Sequence, residues 1–166
     1  NIQLFKILFE TGVIKLSAGT TTISSANDPI TLTAVYGTDA ENLSVDAGSS
    51  DSGTATVTVA AITSEVAQIT LDGEDGVTLG GNLTTSDDAS NAVSITGPVT
   101  LGTGITIDTD HTTNDGTVTF ETSGTTINGS QTLTITSGGG NVALQGVIGT
   151  SGTGIGNLAI NSAAGT

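Results

Sequence analysis

Few residues of this chain have the types that could do chemistry, and they are spread thinly. His111 is the single histidine and sits in the polar run Asp108-Thr-Asp-His-Thr-Thr-Asn-Asp115. An aspartate beside an imidazole can orient it as a general base. No nucleophile motif accompanies it, and no Gly-x-Ser-x-Gly occurs, so His111 reads as a loop residue. Carboxylates offer more: Asp72-Gly-Glu-Asp-Gly76 packs three into one turn, and Asp87-Asp88 and Asp108-x-Asp110 add pairs. Calcium takes hard oxygen ligands in flexible geometry, which makes Asp72, Glu74, Asp75, Asp108 and Asp110 the metal candidates. None of these turns matches an EF-hand loop or the glycine-rich calcium nonapeptide, so solvated turns are the simpler reading. With no Cys there is no thiolate zinc site, iron–sulfur cluster or disulfide framework. The expectation is a protein that is no enzyme and has no resident cofactor, with calcium as the one ion its turns could take.

Other polar motifs carry less. Asn42-Leu-Ser44, Asn82-Leu-Thr84 and Asn128-Gly-Ser130 are glycosylation sequons that a Thr- and Asn-rich chain produces by chance. Thr117 with Thr119, and Thr132 with Thr134, form outward pairs of the kind an ice-binding array would use. Such an array must repeat on every coil, and the spacing along the chain is too irregular for that.

Charge narrows the partners. The net charge is -14, and Lys6 and Lys15 are the only cations. Such a surface repels phosphate backbones, which argues against nucleic acid, and it gains nothing from anionic lipid headgroups. No run of about twenty apolar residues occurs, so no segment reads as a transmembrane helix. A chain that opens at Asn1 without Met reads as a piece of a larger or processed protein.

The elements that must position these residues are short strands. Leu, Ile, Val and Phe make up 42 of 166 residues, enough to fold, yet aromatics are only 2% while Gly numbers 24. Aliphatic β-branched residues suit a pleated surface, and abundant Gly supplies turns. The recurring unit is two apolar residues around one small residue: Ile30-Thr-Leu32, Leu43-Ser-Val45, Val57-Thr-Val59, Ile69-Thr-Leu71, Val93-Ser-Ile95, Val118-Thr-Phe120, Leu133-Thr-Ile135 and Leu158-Ala-Ile160 among them. This alternation puts the apolar pair on one face. Only Ala60 to Gln68 hints at a helical period.

Successive units opening at Leu43, Ile69, Val93 and Val118, and again at Leu133 and Leu158, stand about 25 residues apart, a step within the range of solenoid repeats. The steps Ile30 to Leu43 and Val118 to Leu133 are little more than half as long and break the rhythm. A period of this length with two or three strands in each repeat marks a solenoid. One such coil cannot bury its apolar face alone, whereas stacked coils about 4.8 Å apart pair their backbones and align their side chains. The expectation is an all-β parallel β-helix of about seven coils. Residues 1–16 form a cap or junction, and 17–166 form the solenoid. The alternative is an immunoglobulin-like β-sandwich, which needs longer strands and often a buried Trp.

The segment Leu133-Thr-Ile-Thr-Ser-Gly-Gly-Gly-Asn-Val-Ala-Leu-Gln-Gly-Val-Ile-Gly149, with Asn157-Leu-Ala-Ile-Asn-Ser-Ala163, resembles repeats of filamentous-haemagglutinin-type adhesins and autotransporter passenger domains. Ile69 to Leu83 is a second copy of the pattern. The likeness is one of rhythm and composition, from Ile30 to Thr166. It implies a right-handed parallel β-helix, export to the bacterial cell surface, and a structural or adhesive role, with assembly into filaments or a surface layer. The partners it implies are other copies, neighbouring surface proteins, glycans or another cell's surface. The alternative function is a carbohydrate-binding or carbohydrate-processing β-helix. Those sites use clustered carboxylates with basic or aromatic platforms, for which this chain supplies little.

Overall fold

A computed structural model describes residues 8–10, 12–17, 19–48, 55–63, 65–121, 126–150 and 152–162. The first described elements are a short antiparallel pair, β1 (Leu8–Glu10) on β2 (Val13–Lys15). Six coils follow. The first is β3 (Thr20–Ser24) and β4 (Ile30–Tyr36), and the second is β5 (Glu41–Asp46) and β6 (Thr56–Thr63). The third is β7 (Val66–Asp72), β8 (Gly76–Leu79) and β9 (Leu83–Thr84). The fourth is β10 (Ala92–Thr96), β11 (Val99–Leu101) and β12 (Ile105–Asp108). The fifth is β13 (Thr117–Glu121), β14 (Thr126–Asn128) and β15 (Thr132–Gly138). The sixth is β16 (Val142–Leu144), β17 (Val147–Ile148) and β18 (Asn157–Ser162).

The coils stack into three parallel faces. The first is the six-stranded sheet β3-β5-β7-β10-β13-β16. The second runs through the opening halves of β4 and β6 and then β8, β11, β14 and β17. The third runs from β2 through the closing halves of β4 and β6 to β9, β12, β15 and β18. Because β4 and β6 pass through the corner between the second and third faces, those two form one twelve-stranded sheet. Parallel pairing between successive coils excludes the sandwich, since β1 with β2 is the one antiparallel strand pair among the described residues.

Register explains the composition. On the third face Ile14, Val35, Ile62, Leu83, Ile107, Ile135 and Ile160 stand in one line through the molecule. On the second face Ile30, Val57, Val77, Val99, Ile127 and Ile148 do the same. The first face stacks Ile23, Val45, Leu71, Ile95, Phe120 and Leu144. Aliphatic side chains of similar size fill such columns at native density, whereas a large ring would have to displace the residues above and below it. Phe120 is the one aromatic residue in the core of the described residues.

Three expectations change. The count is six coils, because the described residues before Thr20 make the β1–β2 pair and no coil of their own. The two short steps are changes of face: Ile30 to Leu43 goes from the second face to the first, and Val118 to Leu133 from the first to the third. Ala60 to Gln68 is the end of β6 and the start of β7, joined by a turn in which Glu65 has a φ of 65°. Ile62 and Ile69 recur at a helix-like distance because each enters a different interior column.

Candidate functional surface

Corners, where the coil turns between faces, hold almost all the polar chemistry. Asp28, Asp46, Asp72, Glu74, Asp75 and Glu121 lie at the first corner, between first and second faces. Asp39, Glu41, Glu65, Asp87, Asp88, Asp108, Asp110 and Asp115 lie at the third corner, between the third face and the next coil. Among the described residues no charged side chain stands on the second face or at the second corner. The rod therefore has two acidic ridges, one along each edge of the first face, and a neutral flank opposite.

At the first corner Asp46, Asp72, Thr96 and Glu121 share one outward column. Burial pushes the Asp72 carboxyl up, and the charges of Asp46, Glu74 and Glu121 push it the same way. Asp75 is already used in the fold. Its Oδ2 accepts the Ala55 amide at 2.8 Å while its own amide donates to the Ala55 carbonyl at 3.1 Å, clamping two coils together.

The third corner is a hydrogen-bonded stack. Asp87 Oδ1 accepts from the Asn114 backbone amide at 2.9 Å and from Asn114 Nδ2 at 3.1 Å, joining two coils. Desolvation works to raise the Asp87 carboxyl, but these bonds and those from Thr113 outweigh it and hold it low. Asp115 takes the Gly139 amide at 2.7 Å and the His111 amide at 3.2 Å, which hold its carboxyl low. Asp88 is held low by the Ser90 hydroxyl and amide. His111 meets Thr85 Oγ1 through Nε2 at 3.0 Å, so the histidine ties its corner to the coil before it.

The five calcium candidates divide between these corners. Asp72, Glu74 and Asp75 belong to the first, and Asp108 and Asp110 to the third, where Asp108 Oδ1 accepts the Asp110 amide at 3.1 Å. Among the described residues no three His, Cys, Asp or Glu side chains converge to hold a metal ion. Of the sequon asparagines, Asn82 is exposed and its Oδ1 accepts the Thr106 amide at 2.8 Å, while the Oδ1 atoms of Asn42 and Asn128 are buried. The Thr117–Thr119 pair lies on the first face and the Thr132–Thr134 pair on the third.

Sequence reasoning missed the buried polar groups that shape the turns. Thr85, Thr109 and Ser137 each follow the third-face strand pairing closely and are buried. Thr109 Oγ1 donates to the Gly116 carbonyl at 2.8 Å, and Ser137 Oγ to the Gly140 carbonyl at 3.1 Å. The signal was present as a hydroxyl two positions after the last apolar residue: Leu83-Thr-Thr85, Ile107-Asp-Thr109, Ile135-Thr-Ser137. Glu41 was missed too. It is 2% exposed, and its carboxylate accepts the Thr38 and Asp39 amides at 2.7 and 3.0 Å and the Thr38 hydroxyl at 2.7 Å.

Comparison with known proteins adds no relative: no family model, curated protein or solved structure matches the chain. The class that the structure defines is a three-faced β-solenoid repeat protein of six coils.

Proposed function

We propose that the chain is a non-enzymatic structural or adhesive module of an exported bacterial surface protein, of the filamentous-haemagglutinin or autotransporter kind. It acts as a rigid spacer that extends by adding coils, into a filament or a surface layer. The observation that carries this reading is the state of the sixth coil. Ile148 and Ile160 stand in the interior columns of the second and third faces, yet they are 38% and 45% exposed. A further coil pairing with β16, β17 and β18 would bury them and continue the parallel ladder, the usual route by which an open sheet recruits another chain. The two acidic ridges oppose lateral contact along the first face and its edges, while no charged residue follows Glu121. Association is thereby steered to the end of the rod.

Electron microscopy of the purified chain, with and without calcium, tests this. Rods or filaments with a repeat of about 4.8 Å along the axis are the expected outcome. Compact single particles at all concentrations would sink the assembly reading.

A further inference from the structure

The second face combines regularity with neutrality. Thr31, Thr58, Thr78, Thr100 and Asn128 pair in register from coil to coil, so four threonines form one outward row. Along the chain these threonines are unevenly spaced, with Thr31 to Thr58 the longest step and Thr58 to Thr78 the shortest. The corners absorb that irregularity. The ladder sets the spacing of the row at about 4.8 Å. Each threonine lies between two inward aliphatic neighbours, such as Val57 and Val59, or Val77 and Leu79, and these four are exposed by 1% or less. Beside the row stand only small residues: Thr56, Gly76 and Pro98 on one side, Ala60, Gly80 and Gly102 on the other. Backbone bonds from Gly80 to Val59 at 2.7 Å and from Gly102 to Leu79 at 2.8 Å extend the ladder along that margin.

Such a surface selects its partner by elimination. Among the described residues it has no charge to attract an ion and no aromatic ring on which a sugar could stack. What remains is a regular, uncharged array in which each threonine offers a methyl group and a hydroxyl that both donates and accepts. β-Branched threonine holds few rotamers, so the array is preformed. A charged side chain would keep its own hydration shell, and none stands among the described residues of this face. The ladder repeat is close to the spacing of oxygens in hexagonal ice. We propose that the second face, along Thr31, Thr58, Thr78 and Thr100, binds ice. The first face is the internal control: it carries the hydroxyl row Thr22, Ser44, Thr70, Ser94 and Thr119, but Asp46, Asp72 and Glu121 end its own strands and an acidic ridge runs along both its edges, against one edge of the second face.

The test is freezing hysteresis and ice-crystal shape with the full chain, compared with T78K/T100K on the second face and T70K/S94K on the first. Faceted growth and hysteresis are expected for the parent chain and for T70K/S94K, with loss in T78K/T100K at unchanged far-ultraviolet dichroism. If T78K/T100K fails to fold, T100K alone replaces it. Featureless crystals with the parent chain would overturn the proposal, and so would equal loss in both double variants. Retention on insoluble cellulose or chitin that T78K/T100K abolishes, without hysteresis, would assign the face to a solid polysaccharide and overturn it as well.

Discussion

Asp72 and Glu41 respond to acid in opposite directions. The folded chain raises the Asp72 carboxyl, first through burial and then through its acidic neighbours. The folded state thus binds that proton more readily than the unfolded chain does, and stability from this group is gained as pH falls through its raised value. Glu41 is the reverse case. Burial works to raise it, but the Asp39 and Thr38 hydrogen bonds hold it low. Its contribution is present above the ordinary carboxyl range and lost as pH falls through the lowered folded value. Asp72→Asn should therefore raise the melting temperature at neutral pH, with the gain shrinking as the pH is lowered. Glu41→Ala should cost about 2 kcal/mol near neutral pH, since it strands buried amide donors. Thermal melts from acid to neutral pH on both variants check the two signs.

At the scale of elements, the short apolar strands were legible and the coils were not. Each unit such as Ile69-Thr-Leu71 or Val118-Thr-Phe120 is a strand whose apolar pair faces the core, as alternation alone requires. Which face a unit joins depends on corner length, and that varies. On the second face the step from Val99 to Ile127 is longer by almost half than the step from Val57 to Val77. Hydrophobic period cannot report a corner, because corner residues are polar or glycine whatever their number. The grouping of acids on two ridges was hidden for the same reason. Two substitutions test the packing. Ile135→Ala opens a gap at a fully buried position and should cost about 3 kcal/mol by denaturant titration. Gly97 has a φ of 108°, and a Cβ there would strike the Gly73 carbonyl oxygen. Gly97→Ala should therefore lower the denaturation midpoint through both backbone strain and that clash.

For the whole molecule, charge is the variable most open to test. With 16 acidic residues against two cations, and nearly all of the described acids placed on the two ridges, the folded rod repels itself along its edges. Salt should raise its melting temperature through screening, opposite to a protein held by surface ion pairs. The calcium candidates sit at separate corners, with Asp75 and Asp108 oxygens already accepting backbone amides. Chelator is therefore expected to leave the dichroism spectrum and melting temperature unchanged, and a clear fall in either would show a metal-stabilised rod.

The exposed interior residues of the sixth coil also decide how the rod comes apart. Each coil is held by its neighbours alone, so cooperativity passes along the axis one layer at a time. In the isolated chain, unfolding is expected to begin where Ile148 and Ile160 meet water and to pass inward from β18 through β15 to β12. Amide exchange should follow that path as a gradient, fastest in β16–β18 and slowest near β7 and β8. The isolated rod would then behave like a zipper opened from its sixth coil, whose closed length at any instant is a matter of temperature.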